Sequence, residues 1–247
     1  MKSITKYIAY SFLIIATLLT AFSCEDYLNK APEADISEKD VFGNFTSFQG
    51  FVEQMYNCIM DPDKGGAWNK YSFADETLNN KPYNFDYGNY WGNETYFYGK
   101  SVSVTSTNPR DRRIWEWAWY GIRVANITLA KIDEEGLFEG TPEEKNHIKG
   151  QALFFRGWFY FEICRYWGGM PYINRALDPT ESLVTEEFKR LNFQETAKLM
   201  AQDFRAAADL LPNHWDESAP GQTTLGHNQD RINKFHALGY LGKSLLY

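Results

Sequence analysis

Apolar positions recur at intervals of three and four over five stretches of the chain, and the first four are bounded by a cap or a breaker. That spacing puts the apolar residues on one side of a helix. In the first stretch Phe48, Phe51, Val52, Met55, Tyr56 and Ile59 share a face. Thr46 with Gln49 three residues on predicts a capping box there, and the turn cluster Asp61 to Gly66 ends the helix. A second helix is predicted over about Arg112 to Asp133, with Ile114, Trp117, Ala118, Gly121, Ile122, Ala125, Leu129 and Ile132 on its face and Gly136 as a stop. The third opens on Thr141, Pro142 and Glu144, which fit the N-cap, first and third helical positions, and it ends at Gly168. Here Ile148, Ala152, Phe155, Phe159 and Tyr166 fall on one side while Phe154, Trp158, Phe161 and Cys164 fall on the other, so this helix is predicted to be buried nearly all round. Asn192 and Glu195 start a fourth helix that carries Ala197, Met200, Phe204, Ala207, Ala208 and Leu211 and closes at Pro212. After the polar loop from Asn213 to Asp230, a fifth helix aligns Ile232, Phe235, Leu238, Leu241 and Leu245.

Helices two and three, and then four and five, read as antiparallel hairpins stacked in series. The fold class this predicts is mainly α: tetratricopeptide-like helical hairpins, interrupted by one long aromatic-rich loop region. Each hairpin buries its apolar side on a neighbour. The sequence stops at Tyr247 inside an amphipathic pattern with no cap or breaker, which reads as the truncated N-terminal part of a longer array.

The interruption lies over residues 67–111, where Asn, Gly, Tyr and Trp dominate and no helical period survives. A loop of more than about 15 residues inside a compact domain is usually functional or disordered, and this aromatic content argues against disorder. Aromatics are 17% of the chain, with 8 Trp, 16 Tyr and 18 Phe, more than a core of this size needs.

The first 23 residues have a different character. Lys2 and Lys6 precede an uncharged run from Ile8 to Phe22, and Ser23 stands before Cys24. A basic start and an apolar core of about 7–15 residues describe a secretory leader. The run falls short of the roughly 20 apolar residues of a membrane span, and Glu25 and Asp26 end it abruptly. The segment resembles a bacterial lipoprotein signal, in which Cys24 would become the acylated first residue of the mature chain, although Ala21 and Phe22 depart from the usual Leu and small residue at those places. An ordinary cleaved leader with a chance cysteine is the alternative. The boundaries that follow are 1–23 for the leader, 24–45 for a tether and lead-in, and 46–247 for the helical domain.

Removing the leader takes two lysines and no acids, so the net charge falls from −7 to −9. That balance argues against nucleic acid and against a polybasic grip on anionic lipid. Cys58 and Cys164 both sit in apolar helical patterns and read as small core residues. They form no disulfide framework and lack the four closely spaced ligands of a zinc site. No cofactor or metal is expected.

The long loop carries the candidate chemistry. A sugar presents apolar C–H faces and polar rims, so a binder needs exposed aromatic planes flanked by hydrogen-bonding side chains. Trp68, Tyr90, Trp91 and Tyr96 are candidate planes, and Asp86 and Asn93 are candidate rim contacts, with Asp75, Glu76, Asn80 and Asn89 nearby. Packing of these rings onto the helices is the competing reading. Asp75, Glu76 and Asp86 could also be paired carboxylates of a glycoside hydrolase. No phosphate loop, His-Glu-x-x-His or nucleophile elbow accompanies them, and the four histidines are scattered, so no catalytic residue is assigned. Arg156 stands on a nearly all-apolar helix. It should bind carbonyls or a carboxylate and fix the hairpins rather than meet a ligand. Trp115, Trp117 and Trp119 alternate and cannot share one helix face. Trp117 is expected in the core, and the other two at a further hairpin or a partner.

Several segments together resemble the SusD/RagB family of Bacteroidetes outer-membrane lipoproteins. Cys24 to Pro32, "CEDYLNKAP", is similar to the family's lipidated start. Gly150 to Ile173, "GQALFFRGWFYFEICRYWGGMPYI", resembles its most specific segment, with Ala152, Arg156, Phe159, Tyr160, Phe161, Tyr166, Gly168 and Pro171 in the matching places. "AQDFRAAADLLP" and "DRINKFHALGYLGKSLLY" resemble the helices that follow. The resemblance implies a cell-surface nutrient binder, tethered to the outer membrane by its lipid and seated over a TonB-dependent, SusC-like transporter that imports the captured oligosaccharide. It also implies that Glu25 and Asp26 belong to a surface-export signal. A protein-binding helical scaffold or adhesin is the alternative. No binding residue carries over by position, because the family's ligand contacts form no motif.

Overall fold

The computed structural model describes residues 36–59 and 114–246. Among these residues the regular structure is helical, with no strand. In chain order the helices are α1 (Glu38–Phe42), α2 (Phe45–Asn57), α3 (Ile114–Ile132), α4 (Pro142–Trp167), α5 (Phe193–Leu210), α6 (Ala219–Gln222) and α7 (Lys234–Leu246). Single 3₁₀ turns occur at Glu186–Phe188 and Trp215–Glu217.

Helix α4 is the axis. Its capping box forms as its sequence predicts: the Thr141 hydroxyl accepts from Glu144 N, and the Glu144 carboxylate accepts from Thr141 N at 2.7 Å. Pro142 sits in the first turn. The helix ends at Gly168, whose φ of +77° suits a residue without Cβ. Buried side chains surround it, among them Ile148, Phe154, Phe155, Phe159, Tyr160, Phe161 and Ile163. Burial pushes the Cys164 thiol up to about 12, so this cysteine is an inert core group. Cys58 is likewise buried.

Helices α3 and α5 flank α4 and both run antiparallel to it. Trp115, in the first turn of α3, meets Trp167 at the end of α4, and Asp133 just past α3 pairs with Lys149 near the start of α4. On the other side Leu211 reaches Gly150, and Thr196 bonds the backbone of Met170 just past α4. The α3–α4 approach is close: a Cβ on Gly121 would lie 2.2 Å from the Phe159 ring. Helix α5 starts with the capping box predicted for Asn192 and Glu195. Helix α7 packs on α5 and completes the second hairpin, with Tyr240 against Phe154, Phe161 and Phe204. The architecture is the mainly α, tetratricopeptide-like stack that the periodicity predicts.

Three local readings change. Helix α2 starts two residues before the predicted box: Asn44 is the cap and accepts from Ser47 N at 3.0 Å. Gln49 does not cap at all. It lies buried and exchanges hydrogen bonds of 3.1 and 2.8 Å with Gln151. The lead-in segment contains α1, whose Phe42 packs edge-on against Phe48 and Phe51. The apolar line predicted for the last helix divides: Ile232 and Leu241 are buried as expected, the latter with Ala237 and Ser244, but Phe235, Leu238 and Leu245 are 55%, 44% and 63% exposed on the outer face of α7.

Candidate functional site

Cys24 and the predicted ligand-binding residues Trp68, Asp86, Tyr90, Trp91, Asn93 and Tyr96 lie outside the described residues. What the structure does describe is the frame on either side of them: the end of α2, where the chain leaves, and the start of α3, where it returns.

The departure point borders a polar recess. Gln49, Glu53, Tyr56 and Asn57 of α2 face Thr224, His227, Asp230 and Arg231 across a space of about 560 Å³. The floor of this recess is fixed. Tyr56 donates to Gln151 at 2.9 Å and accepts from Ile232 N at 3.2 Å, so α2, α4 and the segment before α7 are joined through one phenol. Burial drives the Tyr56 pKa far above its usual value, so this phenol stays protonated and keeps its donor. Arg231 donates to Glu53 at 3.2 Å, and its guanidinium lies over the Trp215 ring at 5.2 Å. Trp215 is itself buried: it donates to Ile232 O at 2.7 Å and meets the His147 ring at 4.9 Å. Sequence reasoning missed this recess because Trp215 and Arg231 flank or sit in a loop of polar, glycine-bearing composition. The one available signal was a tryptophan in that loop, which is costly to leave exposed.

The return point borders an aromatic wall. Trp115 and Trp119 stand one turn apart on α3 with centroids 5.7 Å apart, and they extend to Trp167 at 5.0 Å and Tyr160 at 5.9 Å. Trp117 corrects the expectation made for it. It is half-buried at the edge of α3 beside Tyr120, while the buried stripe runs through Ala118, Ile122 and Ala125. Trp115 and Trp119, expected at a further hairpin or a partner, instead meet the C-terminal half of α4, the other helix of their own hairpin.

Behind the wall lies a buried charge knot. Arg156 is 7% exposed and makes paired bonds of 2.6 Å to the Asp203 carboxylate of α5. It also donates at 3.0 Å to Asn126 Oδ1 on α3 and at 3.0 Å to Asn174 O. Burial works against the guanidinium, but the Asp203 bonds prevail and hold its pKa above the ordinary value. Tyr172 adds a third bond to Asp203 at 2.6 Å. The knot pins the extended segment after α4 to three helices. Met170 N donates to Thr196 Oγ1 and Ile173 N to the Tyr160 hydroxyl, while Ile173 O accepts from Asn126 Nδ2. Arg156 thus binds a carboxylate and a carbonyl and fixes the hairpins, as its setting predicts.

No cluster of three or more His, Cys, Asp or Glu side chains able to hold a metal occurs among the described residues. No helix among them is long and apolar enough to cross a membrane.

These features define a helical-repeat frame with an aromatic border and a polar border. Comparison with known proteins places that frame. The SusD-like family described as "Starch-binding associating with outer membrane" matches residues 26–240, and the chain belongs to that family. Two relatives from Formosa agariphila are SusD-like protein P25, 27% identical over 76% of this chain and 34% of its own length, and SusD-like protein P38, 24% identical over 69% and 31%. The chain therefore spans about a third of the length of the curated relatives it matches. Among solved structures it resembles a laminarin binding SusD-like protein, with a TM-score of 0.58 at 19% identity over 83% of this chain and 41% of the other. A SusD-like protein from Bacteroides fragilis gives 0.57 at 19% identity over 88% and 38%. These likenesses establish the shared fold.

Proposed function

We propose that the protein captures an oligosaccharide outside the cell and passes it to a TonB-dependent, SusC-like outer-membrane transporter. The observation that carries this reading is the family match over residues 26–240, which takes in both borders of the long loop. The laminarin-binding relative with the same helical frame supports a glycan as the ligand class. In this reading the frame holds and the loop binds. Trp68, Tyr90, Trp91 and Tyr96 stack on sugar faces, and Asp86 and Asn93 take the hydroxyl rim. Cys24 carries the acyl chains, which anchor the protein at the outer membrane; more than one chain is needed for stable attachment. The protein works by binding alone and has no catalytic residue.

Calorimetric titration of the protein with a panel of soluble glycans, laminarin among them, tests the reading. At least one glycan binds, and Trp91→Ala or Trp68→Ala weakens it about tenfold, the equivalent of roughly 1.4 kcal/mol. Unchanged affinity in both variants removes the loop from the site. Recovered binding accompanied by shortened glycan would instead reveal a hydrolase. Retention of a transporter, with no glycan bound by either protein, would favour a scaffold.

A further inference from the structure

We draw no further inference here: the strongest candidate, the outer face of α7 where Phe235, Leu238, Leu245 and Leu246 stand exposed beside Gly239 and Gly242, is an unpartnered apolar helix face, and nothing in the structure shows what covers it.

Discussion

Helices α4 and α7 are both apolar on opposite sides, yet the structure treats them differently. Helix α4 is enclosed by α2, α3 and α5, so its two apolar sides become one continuous core. Helix α7 rests on α5 by the side that carries Ala237, Tyr240 and Leu241, and its other apolar side faces outward among the described residues. Apolar periodicity reports that a surface suits burial; which of two such surfaces is covered depends on neighbours. The same residue types should then have unequal energetic weight in the two helices.

The largest difference is expected at the charge knot. Arg156→Ala leaves the Asp203 carboxylate buried without its counter-charge, and removing one partner of such a pair costs about 3–5 kcal/mol. Urea denaturation should show this as a much lower midpoint or a failure to fold, and a loss under 1 kcal/mol would break the contrast. Phe155→Ala, also on α4, should cost about 3–5 kcal/mol by the same measurement, because the ring is fully enclosed. Leu238→Ala on α7 should stay within about 0.5 kcal/mol, as surface changes do. Equal losses at the two sites would mean that the outer face of α7 is covered in solution.

Glycines sharpen the comparison by sign. Gly121→Ala pushes a methyl into the Phe159 ring and should destabilise by about 1–3 kcal/mol. Gly239→Ala meets nothing within 4 Å and should stabilise by up to about 1 kcal/mol through helix propensity. Thermal melts of the pair decide this, and shifts in the same direction would contradict it.

The smallest effect concerns pH. His147 is buried on α4, its Nδ1 has no partner among the described residues, and burial holds its pKa below the ordinary 6.5 while Glu143 and Glu144 pull partly back. A base whose folded pKa is depressed is bound to fewer protons than in the unfolded chain. Its contribution is therefore present above about pH 6.5 and lost as the pH falls through that value. Stability measured at pH 7 and pH 5 should fall less in His147→Phe than in the wild type.

The sequence was most legible where a local signal and the tertiary demand agree. Thr141 with Glu144 and Asn192 with Glu195 cap the helices they predict, because no other residue competes for those backbone donors. At α2 the predicted cap is displaced. Asn44, which the sequence reading did not single out, caps in place of Thr46, and the earlier start places Phe45 in the core and frees Gln49 to bond Gln151, a residue far away in the chain. Trp117 failed for a related reason: spacing assigns a residue to a broad face, but the small Gly121 and Ala118 set the line of closest approach. Arg156 was legible as a bound cation but not in its partners, since Asn126, Asn174 and Asp203 come from three separate segments. The candidate ligand residues rest on composition alone, and the frame constrains only where their loop begins and ends.

The extended segment after α4 has a kinetic consequence. The amide protons of Met170 and Ile173 belong to neither helix nor sheet, yet each is held by a hydroxyl on a different helix, Thr196 on α5 and Tyr160 on α4. Fraying of a helix end cannot release both. Their exchange with deuterium requires the two hydroxyls to withdraw, which makes this irregular stretch report on its own release from α4 and α5 rather than on unwinding of either helix.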